Sequence, residues 1–251
     1  MTNHTLANRL LLCTALPMLL LAGTAQADEK TYRVALIAQS PPLSYTDEAG
    51  KFTGFNVEMA AELCTTMKIR CVQQPVALDK IVDLAATDKV DFAVVGFVAT
   101  PERRARVLFS KDYYQSMSVW LAKPAVPVGH AGSTVVVSKG SAQAAHAQSM
   151  GWKTVEVGTT KEMLPLLASG GADAAVLPML NALAMAQDKA LLGAGFKSTV
   201  LKGPLVTGAL HMVVSPKQTE LLERLNTAID QIKRDGRFER INSKFVPFSL
   251  L

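Results

Sequence analysis

The chain has 251 residues, 49% of them apolar and 6% aromatic, with 26 basic and 21 acidic side chains and a formal charge of +5. That length allows one large domain or two small ones. The positive excess is mild and scattered, and no basic run interleaves with aromatics, which argues against a nucleic-acid partner.

Residues 1–27 read as a secretory signal peptide. Arg9 precedes an apolar run from Leu10 to Ala22, and Ala25-Gln26-Ala27 supplies the small-x-small pattern for cleavage after Ala27. The run contains Thr14 and Pro17 and is short for a membrane anchor. Cys13 lacks the small-residue context of a lipoprotein cleavage site. Cleavage would remove Arg9 and no acid, leaving residues 28–251 with a charge of +4. The expected product is soluble and exported.

Strand and helix patterns then alternate. Residues 32–38 form a strand candidate, followed by a loop or hairpin that turns at 47–50. Asn56 is placed to cap a helix reaching Met67, with Val57, Ala60, Ala61, Cys64 and Met67 on one face. Residues 70–75 read as a short strand and 78–86 as a helix. The near-continuous apolar run "VDFAVVGF" (90–97) suits a buried parallel strand. Residues 116–124 give a further strand, ended by Pro124.

The stretch "KPAVPVGHAGS" (123–133) is rich in Pro and Gly and reads as a linker. Beyond it the alternation restarts, with strand, turn and helix over 133–150 and a strand at 153–158. Thr159 and Glu162 form a capping box for a helix to Ser169 that Gly170 and Gly171 close, with Pro165 a kink site in its first turns. A strand at 172–178, a helix at 179–189 and a strand at 209–216 follow. Leu222, Leu225, Ile229 and Ile232 stripe a last long helix that ends with Lys233, Arg234 and the stop Gly236. A short helix is expected over 238–245.

Cys64 and Cys71 are the two cysteines that survive cleavage. A pair in an exported chain, set between a helix end and a strand start, predicts a local disulfide, against the alternative of two buried thiols. Two cysteines without a nearby histidine do not make a metal site.

Two α/β units joined by a linker predict two lobes, each a mostly parallel sheet wrapped by helices. Their ligand would lie in the cleft between them, at the carboxyl ends of the strands. Periodicity alone would equally allow a small two-domain enzyme.

Six segments in order carry a resemblance: "RVALIAQSPPLSY", "GKFTGFNVEMAAEL", "VDFAVVGFVATPERRARVLFSKDYY", "VVVSKGSAQ", "GGADAAV" and "IKRDGRFERINSKF". Together they resemble the periplasmic solute-binding proteins of the polar amino-acid ABC transporter family. "ELC…C" is similar to the cysteine pair of its histidine and lysine-arginine-ornithine branch. The resemblance implies the type II periplasmic-binding-protein fold, two lobes joined by a double-strand hinge. Residues 28–123 and 211–251 would form lobe 1 and 124–210 lobe 2, with crossing strands at 118–123 and 209–214. It implies a monomer that closes on a solute like a flytrap and presents it to a membrane ABC permease. It implies no enzymatic step, no cofactor and no metal.

By the same resemblance Arg103, in "TPERRAR", grips a ligand carboxylate, whereas read alone it is an ordinary surface charge. A guanidinium fork suits a carboxylate. Arg104 and Arg106 are read as solvated charges. Gly96, Leu78, Ser141 and Gln143 join Arg103 as expected ligand contacts.

Other expected contacts depart from the pattern. Leu43 stands where the family carries an aromatic after the Pro-Pro pair, and Ser40 at the preceding aromatic position. Val98 replaces a small hydroxyl residue, and Ala142 a threonine. Pro178 stands where the family places the aspartate that binds the α-ammonium, and Asp173 falls at the strand's start, outside the cleft. Tyr113 and Tyr114 could line the cleft or pack beneath it, and Trp120 reads as core.

Three readings follow: a binder of a carboxylate without a free amine, an ordinary amino-acid binder in a shifted register, or an accessory protein that binds a partner. A fourth is an enzyme similar to cyclohexadienyl dehydratases, which needs a cleft acid or base. His130, His146 and His211 are too scattered to supply one as a local motif.

Overall fold

The computed structural model describes residues 1, 2 and 30–251. The signal-peptide reading and Cys13 lie outside the described residues. In chain order the elements are β1 Thr31–Ile37, β2 Tyr45–Thr46, β3 Phe52–Thr53, α1 Phe55–Met67, β4 Arg70–Val76, α2 Ile81–Ala86, β5 Phe92–Phe97, α3 Pro101–Arg104 and β6 Leu108–Ala122. Then come β7 Thr134–Ser138, α4 Ala142–Ser149, β8 Lys153–Val157, α5 Met163–Ser169, β9 Ala174–Pro178, α6 Met179–Ala186, β10 Lys197–Val200, β11 Thr207–Val214, α7 Thr219–Arg234 and α8 Arg237–Phe245.

The strand order is β4-β1-β5-β11-β6-β9-β7-β8, with β10 added to β6. β4-β1-β5 and β9-β7-β8 are parallel blocks, each built with helical crossovers as parallel pairing requires. Between them run β11 and β6, antiparallel to each other and to the blocks they flank. β6 belongs to both sides: residues up to Met117 pair with β11, and Ser118 to Ala122 pair with β9. This is the two-lobe α/β architecture with two crossing strands.

Each block has its own core. Phe92, Val94, Met212 and Val214 share an apolar cluster with Met59 and Leu63 of α1, Leu225 and Ile229 of α7 and Phe238 of α8. The last two helices thus pack back on the first block. Val119, Leu121, Val136, Ala175 and Leu177 form the second block's core with Met163 and Leu167 of α5 and Met185 of α6.

Several local expectations need correction. Asn56 does not cap α1. Gly54 is the N-cap, and Asn56 is buried inside the first turn, accepting a 2.9 Å bond from the Tyr113 hydroxyl. The buried face is Phe55, Asn56, Met59, Ala60, Leu63, Cys64 and Met67, so Ala61 is exposed and Val57 only partly covered. β6 begins eight residues earlier than its apolar stretch predicts, because Leu108 to Met117 find a partner in β11. α3 and β10 have no counterpart in the predicted elements. Glu162 does reach back, accepting from the Thr159 hydroxyl at 2.8 Å and from the Gly158 N–H at 3.3 Å, but Thr159 caps no backbone group and the turn over Thr160–Glu162 is 3-10. Gly170, at φ 76°, closes α5 as expected.

Cys64 and Cys71 form a disulfide, with Cα atoms 6.3 Å apart, joining the end of α1 to the start of β4.

Candidate functional site: an apolar cavity with one cation

The carboxyl ends of β1, β5, β7 and β9 converge on a cavity of about 70 Å³. From the first block's side it is lined by Ser40, Leu43, Leu78, Gly96, Val98 and Arg103, and from the other by Ser141, Gln143 and Pro178. All nine positions singled out in the sequence therefore share one cavity.

Arg103 is the third residue of α3, a single turn started by Thr100, whose hydroxyl oxygen accepts the Arg103 N–H at 3.3 Å, and by Pro101. This turn lays the guanidinium over the Phe97 ring, 4.4 Å from its centroid. Nη1 donates to the Val98 carbonyl at 3.0 Å, and Nη2 crosses the cleft to the Gly140 carbonyl at 2.9 Å. Burial pushes its pKa down. Among the described residues no carboxylate lies within ion-pair distance of it. A guanidinium has five N–H donors, so three remain for a further acceptor.

The neighbouring arginines behave differently. Arg106 pairs with Asp83 at 2.6 Å, and Arg104 donates to the Ala99 carbonyl at 3.1 Å. Both lie outside the cavity lining.

Glycines let the walls close in. A Cβ on Gly140 would sit 2.9 Å from the Asp79 Cα across the cleft, and its φ of +71° also favours glycine. A Cβ on Gly96 would strike the Tyr114 hydroxyl, which reaches into the cavity wall. Tyr113 does not line it, being buried beneath on Asn56. Trp120 is core, its indole N–H donating to the Val126 carbonyl at 3.0 Å.

The second wall has committed polar groups. The Ser141 hydroxyl oxygen caps α4 by accepting the Ala144 N–H at 3.0 Å. Gln143 Nε2 donates to the Ser118 hydroxyl at 2.8 Å. Pro178 ends β9 and is the N-cap of α6. Asp173 sits at the far end of that strand and accepts the Thr134 N–H at 2.8 Å.

Sequence reasoning missed Asn181. Its Nδ2 donates across the cleft to the Ser40 hydroxyl at 3.0 Å and to the Pro41 carbonyl at 2.7 Å. It lies three residues beyond Pro178, so helical spacing sets both on one side of α6, and that spacing was the available signal. Thr160 makes a weaker cross-cleft bond, to the Gln39 carbonyl at 3.4 Å. The two walls thus touch directly.

Among the described residues no Asp, Glu, Lys or His lines the cavity, and Arg103 is the single charged side chain there. Ile37, Leu43, Leu78, Val98, Val176 and Leu205 make much of its surface apolar. Such a site can hold an anion, and among the described residues neither a carboxylic acid nor an imidazole lines it.

Residues 32–248 match the family described as bacterial extracellular solute-binding proteins, family 3. The L-arginine-binding protein of Pseudomonas aeruginosa is 25% identical over 96% of this chain and 98% of its own. The lysine/arginine/ornithine-binding periplasmic protein of Escherichia coli is 24% identical, over 91% of this chain and 92% of its own. Among solved structures, an ancestral arginine-binding protein bound to arginine superposes with a TM-score of 0.75 at 27% identity, covering 86% of this chain and 97% of that one. No helix of the described residues is long and apolar enough to cross a membrane.

Proposed function

The chain belongs to the bacterial extracellular solute-binding proteins, family 3, and from that premise we propose that it captures a small carboxylate-bearing solute and delivers it to an ABC permease in the membrane. The observation that carries this is the cation held in an otherwise uncharged cavity, with Arg103 touching both walls at once. A ligand shifts an open–closed balance only through contacts that differ between the two states. An acid held on the free N–H groups of Arg103 would gain such contacts by also meeting the start of α4 on the second wall, which it reaches only when the cleft is shut.

Residues 28–123 and 211–251 are assigned to one lobe and 124–210 to the other, with β6 and β11 as the hinge. Ser40, Leu43, Leu78, Gly96 and Val98 would meet the ligand from the first lobe, and Ser141, Gln143 and Pro178 from the second. The protein would work as a periplasmic monomer after loss of residues 1–27.

The test is a thermal-shift series on the exported protein with acetate, pyruvate, leucine and arginine. A ligand at a hundred times its Kd stabilises by about 2.7 kcal/mol. A shift that Arg103→Ala abolishes supports capture of a carboxylate. No shift with any probe counts against it.

A further inference from the structure

The cavity can neutralise one charge and no more. Arg103 supplies a single half-buried cation, and the other polar side chains around it, among them Gln39, Ser118, Gln143 and Asn181, are neutral. A carboxylate entering there cancels the guanidinium. An ammonium on the same ligand would find no anion, and burying it unpaired is costly. The acids around it lie outside its lining: Glu102, Asp79, Asp83 and Glu156 border an adjoining cavity that shares Arg103 and Ser141. Asp79 faces Lys80 and Lys139 at 3.5 and 3.7 Å. Asp173 holds the Thr134 backbone at the opposite end of β9. The start of α4 also faces the cavity through Ala142 and Gln143, adding partial positive charge.

We propose that the captured solute is a monocarboxylic acid without an ammonium group, carrying an uncharged and partly apolar body. A 2-oxo acid with a hydrocarbon tail is the type. This rests on the solute-capture reading and narrows it. Arginine, named for several relatives, would bring two further cations to a site that already holds one.

The experiment is titration calorimetry on the native protein with matched pairs that differ at the α-carbon. The pairs are 4-methyl-2-oxopentanoate against leucine and phenylpyruvate against phenylalanine, with arginine alongside. The oxo acid is expected to bind about a hundredfold tighter than its amino acid, the scale set by a few kcal/mol for an unpaired charge. Pro178→Asp is the second arm. Pro178 lines the cavity with φ −57° and ψ 143° at the N-cap of α6, a conformation and position that aspartate favours. The variant should shrink or invert the ratio, whereas the uncharged Pro178→Asn should keep it.

An amino acid that binds the native protein as tightly as its oxo acid overturns the inference and leaves solute capture standing. An unchanged ratio in a Pro178→Asp protein that melts like the native one also overturns it. No binding by either member of any pair overturns both readings.

Discussion

Replacing Arg103 with alanine removes the cavity's charge, its bond across the cleft to Gly140 and its stacking on Phe97. Stacking that a ligand leaves in place cancels in the comparison. The ligand itself loses hydrogen bonds to a charged group, worth about 1.5–3 kcal/mol each. Truncating a buried charged partner costs about 2–5 kcal/mol. Binding of 4-methyl-2-oxopentanoate should therefore weaken by about 3 kcal/mol, or roughly a hundredfold. Arg103→Lys keeps the charge without the fork and should recover part of the loss. Calorimetry at constant ionic strength reads both. Burial lowers the Arg103 pKa, so the fold disfavours the cation without removing it, and an arginine stays protonated throughout the accessible range. Affinity should thus be flat from about pH 6 to pH 9, above the ligand's own carboxyl titration. A Kd within about twofold of native for Arg103→Ala, against the hundredfold scale, would refute the carboxylate role.

Asn181→Ala breaks two cross-cleft bonds. The ligand-free protein should open, seen as a larger radius of gyration in small-angle scattering, and an unchanged radius contradicts this. Replacing both Cys64 and Cys71 with serine should cost about 2 kcal/mol in urea unfolding, because the closed loop is short. Solute affinity should not move, since neither residue lines the cavity. Burial pushes the His146 pKa down where it packs edge-on to Trp152. The unfolded chain binds that proton more readily, so stability is retained above about pH 6.5 and lost as pH falls below it. His146→Gln should flatten the fall in Tm between about pH 7 and pH 5, and equal slopes in the two proteins would remove His146 as the cause.

The fold was legible wherever burial follows chain-local pattern. The run at 92–97 announced a strand buried on both faces, and the stripe from Leu225 to Ile232 announced α7. Pattern failed where tertiary partners decide. Leu108 to Met117 carry Lys111, Asp112 and Gln115, yet pair with β11 as one long strand. Asn56 looked like a cap because asparagine favours that position, but Gly54 at φ 126° starts α1, and Asn56 turns inward to Tyr113. For the site, motif resemblance located positions on one cavity although they come from distant segments. It could not reveal that Ser141 and Gln143 are held by Ala144 and Ser118, nor that Asn181 bonds Ser40, since these contacts exist only after the walls meet.

The return of the chain through β11 has a consequence for the order of folding. Ala93 pairs with Val213, 120 residues further on. Until that late strand exists, β5 is an open edge, and the first core lacks Met212, Val214, Leu225 and Phe238. Closing so long a loop is entropically costly and slow. The intervening block, by contrast, gathers its strands from residues 118–200 and can assemble locally. A chain that stopped at residue 206 would carry nearly every residue that lines the cavity, Thr207, Gly208 and Leu210 excepted. It would still have no complete first sheet on which to mount Arg103, and its unpaired β5 edge would invite aggregation.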